Sequence, residues 1–380
     1  MMDEVAVVGW AQTEHRLALE RETHLSIIYR VVNEALSSCG LTIHDIDVVI
    51  DAGSDFLDGR GISTCITVDA MGAHFKEESK VAGDGLLAAI YAYMRIASGL
   101  FSTALVVAYG KSSESSPAKQ AQSMCEPFYT RPLGLDGAAA AALQARAYVH
   151  HYGISAEGPA RVAVKNRAAG VSNPYAQLRS EVTLDEVAAS REVASPIREL
   201  EASPVTDGGC AVVLAQGDVA RSLRNRPAWI SGMGHSLDAY SLGARELHKA
   251  PAAAKAAAAA LEQAGITDPL SQLDLVEVSE FFAYQELMLY EALGLCGEGE
   301  GEQLLSSRAT APRGRLPVNV SGGALCANPL VATGLVRLAE ASAQVTGRTA
   351  GPRVEGAKKA LAHAGGGLAM QTAACMVVEK

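Results

Sequence analysis

The chain has 380 residues, 49% hydrophobic and 19% charged, which is enough for a large core and for two or three domains or one duplicated unit. A formal net charge of −10 and the lack of a basic stripe interleaved with aromatics exclude a general nucleic-acid binder. The 7 cysteines are scattered with no Cys-x-x-Cys pair, a pattern of reduced thiols that excludes a structural zinc site.

The chain opens with Asp3-Glu4 and then Val5-Ala-Val-Val-Gly9, a strand and not the basic and apolar regions of a signal peptide. A helix-length segment over 23–38 ends near Gly40. It is followed by the apolar β-run Asp45-Ile-Asp-Val-Val-Ile-Asp51 and then Ser54-Asp55-Phe56. A glycine-rich turn, Ala82-Gly-Asp-Gly-Leu86, leads into a helix over 85–98, and the run Ala104-Leu-Val-Val-Ala108 closes this part.

Residues 112–200 interrupt the pattern. They are rich in Ser, Pro, Asn and Arg, with helical stretches at 137–152 and 158–170. Within them Arg161, Lys165, Arg167 and Arg179 form a locally basic patch, read either as a solvated helix face or as a surface for anionic phosphates. The first pattern then returns. A helix over 245–263 ends near Gly265, the run Leu273-Asp-Leu-Val-Glu-Val-Ser-Glu-Phe281 follows, a later helix spans 329–346, and Ala374-Cys-Met-Val-Val378 closes the chain.

Strands alternating with helices predict buried parallel sheets with helices outside. The repeat predicts two pseudo-equivalent halves: residues 1–111 and 201–225 make the first, 112–200 the insertion, and 226–380 the second. The alanine runs at 137–143 and 252–260 are broken by Gln144, Lys255 and Glu262, so neither reads as a membrane span and a cytoplasmic location is expected.

These residues resemble the thiolase superfamily over nearly the whole length, in the branch of the thiolase domain of sterol carrier protein. The resemblance is carried by Ala82-Gly-Asp-Gly-Leu86, Lys165-Asn-Arg167 with Asn173-Pro174, and Ser203-Pro-Val-Thr-Asp-Gly-Gly209. Further matches are Tyr290-Glu-Ala-Leu-Gly-Leu295, Asn319-Val-Ser-Gly-Gly323, Ala332-Thr-Gly334 and Ala364-Gly-Gly-Gly367. It implies an α/β thiolase fold of two βαβαβ halves with stacked five-stranded sheets, plus an inserted loop domain that binds coenzyme A. It also implies an acyl-CoA substrate and a homodimer, or a heterotetramer with a small zinc-ribbon and OB-fold protein of DUF35 type. No metal and no covalently bound cofactor are expected; coenzyme A enters as part of the substrate.

The family places its chemistry on four loops, and each is altered here. The nucleophilic cysteine of the first is replaced by Ala82, whose methyl group cannot carry an acyl group, with Asp84 as a possible orienter. The second, a His-Asp-Cys-Phe signature in this branch, reads Ser279-Glu280-Phe281-Phe282; Glu280 and Tyr284 remain as ionisable groups, read as catalytic or as capping and packing. The third, usually Gly-His-Pro, reads Cys326-Ala327-Asn328-Pro329, so the Asn328 amide keeps a donor without a base. In the fourth, His363 stands where a cysteine moves the proton at the substrate α-carbon, and its ordinary pKa suits that work near pH 7.

With backbone N–H donors at Ala82 and Gly365, Asn328 as a further donor, and His363 with Tyr284 for protons, the set matches retro-aldol cleavage of a β-hydroxyacyl-CoA through an enolate. The superfamily's steroid side-chain aldolases, which lack the cysteine, imply the same. Two alternatives stand beside it: a non-catalytic acyl-CoA-binding pseudo-thiolase subunit of a larger complex, and an atypical acyltransferase. Arg161, Lys165 and Arg167 are the expected contacts to coenzyme A phosphates.

Overall fold

The computed structural model describes residues 4–59, 61–116, 119 and 122–380; Asp3 lies outside them. Its centre is a sheet of nine strands among the described residues, in the order β3-β2-β4-β7-β1-β8-β11-β10-β9. The first half supplies β1 (Val5–Gln12), β2 (Val48–Gly53), β3 (Glu77–Ala82), β4 (Thr103–Gly110) and β7 (Gly208–Gln216). The second half supplies β8 (Ala228–Leu237), β9 (Leu275–Glu277), β10 (Lys359–Gly366) and β11 (Thr372–Glu379). A small hairpin in the insertion, β5 (Glu192–Ala194) with β6 (Ile197–Arg198), stands apart.

The two halves meet at one edge, where β1 pairs with β8 through Ala6 and Val7. Around that edge they enclose two helices, α4 (Gly85–Ala97) and α9 (Thr333–Thr346), which pack on each other and on strands of both halves. The stacked arrangement is therefore present, but the second half has four strands where five are expected. The fifth position is reduced to a single parallel bridge between Val276 and Val318. Pro317 has no N–H to extend it, and Asn319 at φ 57° turns the chain out of the extended region.

The outer layers are α1 (His24–Cys39) with α2 (Asp55–Asp58) and α3 (Thr64–Met71) on the first half, and α7 (Pro251–Gln263) on the second. Helix α1 is capped by the Thr23 hydroxyl and ended by Gly40 in the left-handed region, and it buries Ile27, Ile28, Val31 and Leu36. The alanine run of α7 has a packing reason: it lies directly on β8, where a Cβ at Gly232 or Gly234 would stand 1.9 or 2.0 Å from the carbonyl oxygens of Ala260 and Ala256. Helices α5 (Gly137–Tyr152), α6 (Glu157–Gly170) and α8 (Ala283–Ala292) build a third packing layer over the second half. No helix among the described residues is long and apolar enough to cross a membrane.

Candidate functional site

The four loops converge at the carboxyl ends of the strands. β3 ends on Ala82, which is exposed at the sheet edge and pairs with Gly53 of β2. Two residues on, Asp84 caps α4, its Oδ1 accepting from the Leu86 N–H at 2.8 Å. Its Oδ2 accepts from the Gly334 N–H in the first turn of α9 at 2.9 Å. One carboxylate thus holds the N-termini of both central helices. A Cβ at Gly334 would lie 2.0 Å from Asp84 Oδ1 and 2.4 Å from the Ala364 methyl, so the first, third and fourth loops meet here with no space for a side chain.

The second loop is joined through Ser203, whose N–H donates to the Phe281 carbonyl at 2.8 Å and whose hydroxyl receives the Asn328 amide at 3.0 Å. The Ser279 hydroxyl donates to the His363 carbonyl at 3.1 Å, and the Phe281 ring lies against Gly365.

Burial and hydrogen bonding sort the candidate side chains. Burial pushes the Asp84 carboxyl up to about 7, outweighing the two N–H donors and the positive charge of Arg337 that favour its ionised form. Each of its oxygens keeps a second lone pair after these bonds.

His363 lies in β10 with no exposure, and both ring nitrogens lack a partner among the described groups. Burial lowers its pKa to about 3, so the imidazole is neutral at pH 7 and is not the ready proton carrier that its ordinary pKa suggests. Tyr284 is buried, donates to Gln144 Oε1 at 2.8 Å, and is pushed further from ionisation by that burial. The Asn328 amide is committed: its nitrogen goes to Ser203, and its oxygen accepts from the Leu330 N–H at 3.2 Å and the Thr333 hydroxyl at 2.8 Å. It fastens the short turn that leads into α9.

Glu280 accepts from the Leu325 N–H just ahead of the third loop at 3.1 Å and forms a buried acidic pair with Glu286. Asn319 Nδ2 donates to Glu280 at 2.7 Å and to Glu286 at 2.9 Å, and Asn166 Nδ2 bridges the same two carboxyls at 3.0 and 2.7 Å. Burial, then the charge of Glu286, raises the Glu280 pKa to about 8. Between about 4.5 and 8 the folded chain holds a proton that the unfolded chain has released, so this group's contribution to stability falls as pH rises. Glu280→Gln, which mimics the protonated form, is expected to lose about 2 kcal/mol less than the parent chain between about pH 6 and pH 8 in urea unfolding. Equal losses in the two proteins would rule out this reading of the pair.

The expected basic patch is divided: Arg161 and Arg179 are exposed, the latter donating to the Ala176 carbonyl at 3.0 Å, whereas Lys165 and Arg167 are withdrawn from the surface. Lys165 is buried against Glu286 at 2.8 Å and donates to the Val318 carbonyl. Arg167 clamps Ser180 through its carbonyl and hydroxyl, and exposed Arg161 pairs with Glu157 at 2.7 Å and Ser306 at 3.2 Å. Helical spacing puts Arg161 and Lys165, four residues apart, on one side of α6 and Arg167 on another, and each has found a local partner. Among the described residues, no group of three or more His, Cys, Asp or Glu is arranged to hold a metal.

Two features were not foreseen. Arg337 of α9 and Glu277 of β9 form a buried ion pair at 2.9 Å that also ties Ser321. The signal was an acid inside an apolar β-run, and Asp51 of β2 repeats it with Lys80 at 3.0 Å. The second is a cavity of about 450 Å³ beside the first loop, with Gly53 in its lining.

Residues 234–380 match the family described as thiolase C-terminal domain-like. The chain is 29% identical over 376 residues to an acetyl-CoA acetyltransferase of Methanothermobacter thermautotrophicus, covering 96% of this chain and 97% of that protein. It is 34% identical to human sterol carrier protein 2 over 223 residues, 57% of this chain and 40% of that protein. In fold it is similar to the Ltp2-ChsH2(DUF35) aldolase, with a TM-score of 0.86, 23% identity and coverage of 100% of this chain and 98% of that one.

Proposed function

Because the chain belongs to the thiolase superfamily and has the thiolase fold, and because the resemblance assigns the family's acylated thiol to Ala82 at the end of β3, a methyl group, we propose that it acts on a CoA thioester without an acyl-enzyme. The reaction is retro-aldol cleavage of a β-hydroxyacyl-CoA. Ionised Asp84 takes the β-hydroxyl proton, the oxygen's electron pair forms the carbonyl, and the Cα–Cβ pair passes to Cα as the enolate of the shorter acyl-CoA. Protonated Asp84 then returns the proton to Cα, so atoms and charge balance within one substrate. The observation that carries this reading is the juxtaposition of Ala82 with a carboxyl group tuned to about 7 by burial. Simple acyl transfer through a covalent intermediate, suggested by the name of the archaeal relative, is disfavoured if Ala82 holds the nucleophile position that the resemblance assigns to it.

Closure around His363 favours a second reading, an acyl-CoA-binding subunit without turnover, because the ring is fully buried and Phe281 covers the adjacent glycine. One assay separates the two. β-Hydroxyacyl-CoAs of several chain types are incubated with the protein alone and with a DUF35-type subunit, the kind named in the aldolase of like fold, and free aldehyde or ketone is measured. Carbonyl release dependent on this chain supports cleavage; saturable binding of the thioester with no release in either mixture would leave the binding subunit. As a check on the frame, Ala82→Cys is expected to gain the mass of an acyl group when treated with a reactive acyl-CoA. An unchanged intact mass would show that Ala82 is not at the nucleophile position.

A further inference from the structure

Strand β1 keeps β8 as a neighbour only through Ala6 and Val7. Farther along, side chains meet its free edge: the Trp10 N–H donates to Ser38 Oγ at 3.1 Å, and the Val8 carbonyl accepts from Arg348 Nη2 at 3.2 Å. Beside this edge, between α1 and α9, lies a cavity of about 480 Å³ whose lining residues are all among those described. Its volume suits a small molecule.

The cavity has two electrically opposite ends. At one end stands Glu340 of α9, 6% exposed. Its Oε1 accepts from Gln12 Nε2 at 2.6 Å, while Oε2 has no partner among the described groups and keeps accessible surface, an uncommon state for a buried carboxyl. Arg337, the nearest positive charge, is already paired with Glu277 at 2.9 Å. The Tyr175 hydroxyl lies at the same end, also accessible and without a bond. Burial raises its pKa, and the charges of Glu340 and of exposed Glu34 on α1 raise it further, which places both carboxyls around it.

At the other end the Arg348 guanidinium lies over the Trp10 ring at 3.9 Å. Its Nη2 is tied to Val8, its Nη1 has no partner, and neither Glu340 nor Glu34 comes within ion-pair distance of it. The strand sets this separation. Trp10 and Gln12, which hold the two poles, are same-face neighbours on β1 and therefore about 7 Å apart. The small side chains of Ala339 and Ala343 line the helix side of the cavity.

We propose that this cavity binds a short ω-amino carboxylate, its ammonium group on Glu340 Oε2 and the Tyr175 hydroxyl, its carboxylate on Arg348 Nη1, and its methylene chain on Ala343. An amine alone would leave the guanidinium without a counter-charge, and a carboxylate alone would leave Glu340 and Glu34 unmatched. These residues belong to none of the four loops, so the site stands or falls separately from the proposed reaction.

The test is ligand-observed saturation-transfer NMR on the whole chain at pH 8, where Glu340, raised by burial to about 7, is ionised. The probes are 4-aminobutanoate, glycine, butylamine and butanoate. 4-Aminobutanoate is expected to give a saturable signal that equal concentrations of the other three neither reproduce nor displace. Glu340→Gln and Arg348→Met each remove a charged hydrogen bond and are expected to weaken it at least tenfold; Tyr175→Phe is expected to weaken it about fivefold. If Glu340→Gln does not fold, Tyr175→Phe and Arg348→Met decide. No 4-aminobutanoate signal, or an affinity unchanged in these variants, overturns the proposal. Equal binding of butylamine or butanoate would show that one pole suffices, and equal binding of glycine that the poles are not held apart; either result overturns it as well.

Discussion

Asp84→Asn is expected to lower kcat/KM for carbonyl release by about 10²- to 10⁴-fold, the usual worth of a positioned acid–base group. The variant keeps a capping side chain, because asparagine is as good an N-cap as aspartate. Its amide oxygen can still receive one of the two N–H donors, from Leu86 or Gly334, so the helix junction survives with a modest loss. What disappears is the proton exchange. With the parent carboxyl at about 7, the base is ionised above that pH and protonated below it, so kcat/KM falls toward acid with a midpoint near 7. The asparagine variant has no such limb. An acidic limb persisting at the same midpoint in Asp84→Asn would move the base elsewhere and remove Asp84 from the mechanism.

The alternation of strands and helices was legible, but the expected parallel sheets are mixed: β4–β7, β7–β1, β1–β8, β8–β11 and β11–β10 pair antiparallel, and only β3–β2, β2–β4 and β10–β9 pair parallel. The runs that became β2 and β4 are apolar because both faces are covered, and the repeat of helix, glycine and apolar run marked the second half. The missing fifth strand was not legible, since a proline and one left-handed asparagine are weak signals against a family pattern. The loops were identifiable, and they do converge, but the roles of their side chains depend on burial and partners that spacing does not reveal. His363 shows this: sequence gives an imidazole beside three glycines, whereas the sheet gives it an apolar, unpartnered position that suppresses protonation. Lys165 and Arg161 share a helix side, yet Lys165 is drawn inward to Glu286 while Arg161 stays outside with Glu157, and Arg167 turns away to Ser180.

Arg337→Met is expected to cost about 3–5 kcal/mol, because removing one member of a buried pair leaves the other charge uncompensated. The guanidinium is 2% exposed and Glu277 not at all; they lie 2.9 Å apart, and Ser321 donates its hydroxyl to the same carboxylate at 2.6 Å and its N–H at 3.1 Å. The pair fastens α9 to β9 and to the segment that leads into the third loop, so its loss loosens the frame that holds Asn328 and Gly334. The same positive charge favours the ionised forms of Asp84, Glu280 and Glu340. Its removal therefore carries a signature that a packing defect would not: the acidic limb of kcat/KM moves to higher pH than in the parent, since Asp84 holds its proton more tightly. Combining it with Glu277→Gln removes the stranded charge, and the double variant is expected to recover most of the lost stability. Urea unfolding of both single variants and the double variant measures the coupling. Additive losses, with the pH limb unmoved, would mean that Arg337 only fills space and that Asp84 is tuned by burial without it.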